Sequence, residues 1–319
     1  MLTGVALKIA STLAFSFMMA IMKAHTNFPV GELVLFRSAP ALFVLFGWLW
    51  LRGEFPRALR TGWLSGHLVR SLAGACSMFL MFATYNFLPL ADSTAVLYTG
   101  PLMIVILSGV LLGERIGVLR AGVVSLGFCG VLIMLAEHLG VGQSASSRGA
   151  IGVFTGLLGA LFIAVAMIQT RRLAKSEHTG AIVFYFQSVA SLAGVAFMAA
   201  GSLWPASAPL AGLMRAQAWI TPGPWDFALM FAAGLCGGLG QILMTRAYVY
   251  ADASIIASFE YVSMIWVVVL GITFLGEIPS PYMLAGGGVV AAAGVMLIVG
   301  ERRRARGSFS GDGRGPKSR

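Results

Sequence analysis

Apolar residues run in long blocks along this chain, interrupted only at charges, prolines and polar clusters. Ten such blocks can be delimited, at about 3–23, 31–51, 66–87, 92–112, 118–136, 149–170, 180–203, 226–248, 253–274 and 281–300. Each is close to the roughly 20 residues a helix needs to cross a hydrocarbon core. The connections are short except between Leu203 and Asp226, where Pro205, Pro209, Pro222 and Pro224 predict a long loop with an interfacial turn at Trp219. The pattern predicts an all-α integral membrane protein with ten transmembrane helices. The first block is too long for a signal-peptide core and lacks a basic lead-in, so it reads as the first span.

Composition agrees with the pattern. Of 319 residues 58% are hydrophobic and only 11% charged, where a soluble domain carries about 25% charge. The mean hydropathy is +0.86. The net charge of +10 would suggest nucleic acid, but its placement points to lipid. Arg302, Arg303, Arg304, Arg306, Arg314, Lys317 and Arg319 cluster after the last block, as in a tail held against anionic headgroups. With the N-terminus inside, inner connections hold Arg52, Arg57, Arg60, Arg115, Arg120, Arg171, Arg172, Lys175 and that tail; outer ones hold only Lys23, Arg148 and Arg215. Both termini are therefore expected in the cytoplasm, and no nucleic-acid partner is expected. Cys76, Cys129 and Cys236 lie singly in apolar blocks and read as small buried hydrophobes, with neither disulfide nor metal spacing.

A repeat runs through the chain. Leu90-Ala91-Asp92-Ser93, Tyr98, Leu112-Gly113-Glu114 and Gly130-Val131-Leu132-Ile133 return as Tyr250-Ala251-Asp252-Ala253, Tyr261, Leu275-Gly276-Glu277 and Gly294-Val295-Met296-Leu297. Five spans per copy is an odd number, so the copies must have opposite orientation, as in many secondary transporters. The expected units are residues 1–138 and 148–300, followed by a basic cytoplasmic tail at 301–319.

These motifs, with Gly100-Pro101-Leu102, Thr245-Arg246-Ala247-Tyr248 and Phe259-Glu260-Tyr261, resemble the EamA-type family of the drug/metabolite transporter (DMT) superfamily. The resemblance implies two inverted five-helix repeats around a central cavity, in a bacterial inner membrane. It implies cargo such as amino acids, amines, S-adenosylmethionine or riboflavin. The run Arg60-Thr61 to His67-Leu68-Val69-Arg70 is similar to the S-adenosylmethionine-uptake branch, whereas Ser258 stands where relatives often have proline.

Few polar residues interrupt the spans, and each is a functional candidate by default. Thr94 and Tyr98 fall on one stripe of span 4, and Ser254, Ser258 and Tyr261 on one of span 9. Both stripes read as substrate-contacting cavity lining, with interhelical hydrogen bonding as the alternative. Glu260, about 6 Å from the middle of span 9 by helix rise, is a proton carrier, a counter-ion for a cation, or the partner of Arg37 or Arg246. Arg37 lies about 9 Å inside span 2 and cannot share a face with Glu32, so it needs another partner or snorkels outward. Lys8 snorkels or lines a cavity. His67 and Arg70, one turn apart at the inner end of span 3, form either a cytoplasmic gate or an interfacial anchor. Gln169, Tyr185, Gln187 and Gln241 are weaker candidates. Asp92 and Asp252 read as N-caps. Glu114 and Glu277 oppose the dipole of the helices they follow, so packing or the next helix's N-terminus must compensate.

No P-loop is present, and acids and histidines are ungrouped, so a secondary transporter of a small polar or amphipathic solute is the reading. A multipass membrane enzyme or a lipid flippase is the alternative. No catalytic residue, metal or cofactor is expected.

Overall fold

The computed structural model describes residues 2–97, 99–100, 103–104, 107, 118–136, 147–203, 219–250, 262–278 and 280–310. Among these, ten α-helical segments and a single 3₁₀ turn (Arg57–Leu59) follow one another, with no strand. The helices are α1 (Leu2–Ala24), α2 (Val30–Leu51), α3 (Leu64–Tyr85), α4 (Leu90–Leu97), α5 (Val118–Ala136), α6 (Ser147–Leu173), α7 (Thr179–Leu203), α8 (Pro224–Tyr250), α9 (Val262–Leu275) and α10 (Pro281–Ser310). Six of them (α1, α2, α3, α6, α7 and α8) are long and apolar enough to cross a membrane. The other four abut residues outside the described set. The last helix continues past the predicted end of span 10, because Glu301 to Arg306 are good helix formers with no proline or glycine among them.

The outer surface explains why a chain this apolar folds. Between 39% and 67% of the apolar stretch of each spanning helix is buried inside the molecule, and the part left uncovered carries large apolar side chains. Trp50, Phe43, Leu192, Ile265 and Phe274 are all exposed, an arrangement stable only against lipid. Cys76 and Cys129 also face outward and Cys236 is half-buried, correcting the expectation that all three are buried. Facing lipid asks the same apolarity of a side chain as the core does, so composition alone could not distinguish the two.

Within the bundle α1 packs on α8 and α9, α3 on α6 and α7, α2 on α7 and α8, α4 on α6 and α9, and α5 on α10. Small residues permit the closest approaches. A methyl group added at Gly234 of α8 would collide with the Phe36 carbonyl and come within 2.9 Å of the Pro40 ring on α2. Hydroxyls tie other pairs: Ser11 donates to the Gly240 carbonyl (2.9 Å), Ser77 to that of Gly159 (2.9 Å), and Thr84 and Thr155 bond each other at 3.0 Å.

The two ends of the bundle differ. At the first lie the connections between α2 and α3 and between α6 and α7, carrying Arg52, Arg57, Arg60 and Lys175, with Arg172 in the last turn of α6. At the second end, Gly276, at a φ of 66°, stops α9 and lets the Glu277 N–H reach back to the Gly271 carbonyl (3.0 Å). The Glu277 carboxylate then accepts the Leu90 N–H at 2.8 Å, where α4 begins. The dipole conflict expected of Glu277 is thus offset by the N-terminus of a helix far off in sequence. Nearby, Lys23 Nζ donates to the Tyr85 and Leu88 carbonyls (2.6 and 2.7 Å) just where α3 ends.

Candidate functional site

A cavity of about 170 Å³ opens at mid-length in the bundle, bounded by α1, α2 and α3, the region of α4, and α6, α7, α8 and α9. Most of its wall is soft and apolar: Met18, Met19, Met78, Met81, Met167 and Met244 all face it. Methionine is flexible and polarisable, and such a surface adapts to the shape of a guest. Thr12, Ser16, Ser77, Gln241 and Ser263 add sparse polarity, and Arg37 and Arg70 the charge.

Three consecutive residues of α7 organise this region. Each helix step turns about 100°, so Tyr185, Phe186 and Gln187 address different neighbours. Gln187 accepts a hydrogen bond from Arg37 Nη1 at 3.0 Å. The Phe186 ring carries both guanidinium groups, with Arg70 Cζ 3.8 Å and Arg37 Cζ 5.3 Å from its centroid. Tyr185 packs against His67 at 4.7 Å between ring centroids, with the rings tilted by 38°. Arg70 Nε donates to the Thr170 hydroxyl at 3.2 Å. Arg37 is 6% and Arg70 3% exposed, so neither snorkels. Glu32, fully buried one turn before Arg37, accepts from the Ile220 N–H (3.2 Å) instead, in keeping with their different faces.

A second cluster lies toward the first end. His67 is fully buried, and its Nε2 donates to Glu177, in the connection between α6 and α7, at 3.3 Å. Glu177 also accepts the Gly62 N–H at 3.2 Å and a hydrogen bond from the Thr61 side chain. Burial alone would raise this carboxyl, but the bonds from Thr61, His67 and Gly62 and the nearby His67 ring outweigh it and hold the group below its usual range. This carboxylate ties the α2–α3 connection to the α6–α7 connection. On the same rim His178 sits 3.4 Å from Glu54, and Arg246 bonds the Tyr250 hydroxyl and covers Trp48.

The structure therefore brings together Arg37, Arg70 and His67, joined through Tyr185, Phe186 and Gln187. Lys8 is fully buried and does not reach the headgroups. Thr94 lies on α4, but nothing of its side chain is described. Tyr98, Ser254, Ser258, Glu260 and Tyr261 lie outside the described residues; their described neighbours Leu97 and Ser263 line the cavity. Phe186, Thr170 and Glu177 were not anticipated. A phenylalanine among 21 and a threonine at a helix end carry no signal of their own. Glu177 carried one, being one of only 12 acids, but it sits in a connection where a charge is ordinary.

Comparison with known proteins bears on this geometry. Residues 2–136 and 150–300 each match the family model described as the EamA-like transporter family. The chain is 30% identical over 296 residues to the pseudopaline exporter CntI of Pseudomonas aeruginosa, covering 92% of this chain and 95% of that one. It is 27% identical to a riboflavin transporter of Rhizobium johnstonii, covering 85% and 84% of the two chains. An S-adenosylmethionine uptake transporter of Rickettsia felis is 24% identical with the same coverage. One crystal structure superposes with a TM-score of 0.66 at 18% identity, covering 94% of this chain and 98% of that one; this likeness concerns the fold alone.

Proposed function

The chain belongs to the EamA-like transporter family, and from that premise we propose that it is a secondary transporter carrying a small polar or amphipathic metabolite across a bacterial inner membrane by alternating access. The observation that carries the reading is the cavity. It lies at mid-length, is walled by helices from both halves of the chain, and holds two arginines where charge is costly. The relatives named for transport handle different small solutes, so membership indicates a transporter of small metabolites without naming the cargo.

Ten spans in two inverted units, 1–138 and 148–300, form part of the proposal. What supports it is that the family model matches twice, and that the packing partners exchange when each helix is replaced by the one five places along. Under that shift α1 on α8 becomes α6 on α3, α2 on α8 becomes α7 on α3, and α1 on α9 becomes α6 on α4. The pairs α2–α7, α4–α9 and α5–α10 map onto themselves. An internal two-fold requires such an exchange. Cytoplasmic placement of both termini and of the tail at 301–319 is supported by the basic connections gathered at the first end. The Glu177 cluster would close the path at that end and the Lys23 and Glu277 contacts at the other, each breaking in turn. Glu260 is proposed to contribute coupling or substrate contact, with Thr94, Tyr98, Ser254, Ser258 and Tyr261 lining the path.

Uptake and counterflow in proteoliposomes, with amino acids, polyamines, S-adenosylmethionine and riboflavin, test the proposal. Saturable counterflow of at least one solute is expected; leak-level flux for all of them, with no ligand raising the melting temperature, refutes it. For Glu260, an unaltered pH dependence of transport in Glu260→Gln would exclude proton carriage.

A further inference from the structure

We propose that Arg37 and Arg70, both set against the Phe186 ring, form the subsite for a carboxylate group of the transported solute; the inference rests on the transporter reading above and names the chemical class of the cargo. Both guanidinium groups line the cavity and are almost wholly buried. Their described partners are neutral: an amide oxygen for Arg37, a hydroxyl for Arg70, and one shared aromatic ring. Among the described residues neither forms an ion pair. Arg37 Nε and Arg70 Nη1 are buried and meet no acceptor among the described residues. Arginine does not shed its proton in proteins, so it cannot escape the cost of burial by becoming neutral. Two like charges set against one ring also repel each other. The same positions filled by leucine would be stable, so the arrangement needs an anion to justify it.

The geometry selects among anions. Gln187 and Thr170 each hold one guanidinium group and the Phe186 ring lies against both, leaving unmatched N–H groups in a setting that suits a planar carboxylate. The rest of the wall, Met78, Met81, Met167 and Met244 among it, offers contact to a less polar body of variable shape. A fully hydrated inorganic anion would have to give up its water on that wall and receive little in return. A solute with a carboxylate head and a larger, weakly polar remainder satisfies both parts of the cavity.

The test uses the full-length protein in nanodiscs and proteoliposomes. Binding is measured for two pairs: succinate and succinamide, and N-acetyl-L-methionine and its amide. Sulfate and phosphate are run alongside, and polyamines and riboflavin are added to the flux assays. At least one acid is expected to bind on the order of tenfold or more tightly than its amide. In Arg37→Lys and Arg70→Lys, which keep the charge but lose the fork, that preference is expected to shrink. The wild-type comparison stands alone should a variant fail to fold. Amides binding as well as acids, binding of sulfate or phosphate only, or a preference untouched by both variants would overturn the assignment. If riboflavin or polyamines move and no acid does, the carboxylate subsite is wrong and the transporter reading survives. If nothing binds or moves, both fall.

Discussion

Removing the Glu177 side chain tests whether the rim cluster is a latch. In Glu177→Ala the Gly62 N–H, the His67 Nε2 and the Thr61 hydroxyl all lose their acceptor, now at 3.2 Å from Gly62 and 3.3 Å from His67. Bonds to a charged group contribute about 1.5–3 kcal/mol when well formed, but these are long and lie at a solvated rim. A total of roughly 2 kcal/mol is the reasonable expectation, a factor of about 30 in the equilibrium for opening this end. Hydrogen exchange read by mass spectrometry should show the Gly62 amide exchanging about 30-fold faster by that arithmetic. Glu177→Gln keeps an acceptor for Gly62 and loses only the charge, so acceleration of roughly fivefold is expected, for about 1 kcal/mol. Acidity should act in the same direction. A carboxyl held below its usual 4.5 contributes fully above that value, and the contribution is lost as pH falls through the lower folded-state value. Exchange at Gly62, corrected for its intrinsic rate, should therefore rise only below about pH 4.5 in the wild type and lose that step in Glu177→Ala. Unchanged exchange at Gly62 in the alanine variant, or equal acceleration at Leu90 on the opposite end, would refute the latch.

Three further outcomes follow from particular contacts. Gly234→Ala should force α2 and α8 apart and lower stability by about 1–3 kcal/mol, whereas Gly288→Ala, where an added methyl meets nothing within 4 Å, should leave the melting temperature alone. Glu277→Ala removes the acceptor at the start of α4 and should cost about 1 kcal/mol, seen as faster exchange of the Leu90 amide that Glu277→Gln largely restores. Gln187→Leu strips Arg37 of the amide acceptor and leaves it against the Phe186 ring; a loss of about 1–3 kcal/mol in thermal unfolding is expected, and an unchanged melting curve would show that the amide does not hold the guanidinium.

The site was legible by residue type more than by geometry. Arg37, Arg70, His67 and Lys8 stood out because charge is rare inside apolar blocks, and all four are buried. The anchor and snorkel alternatives treat each helix as if it met lipid alone, whereas all four side chains are covered by neighbouring helices. Sequence position gives a side chain's depth along its own helix but says nothing about the neighbour it faces. Gln187 ranked among the weaker candidates, and Phe186 and Thr170 drew no attention, because their importance comes from partners on α2 and α3.

By itself the sequence determined that this chain lies in a membrane, roughly where its helices run, and that its halves repeat. Those properties are local or periodic: apolar length answers to bilayer thickness, and a repeat needs no structure to be visible. Only the tertiary structure decided that Glu277 caps α4, that Glu177 reaches Thr61, Gly62 and His67, and that two arginines share one phenylalanine in a methionine-walled cavity. Each depends on which helix faces which. In a bundle held by close packing of small residues, that choice is made by the fit of whole surfaces and cannot be read from any one segment.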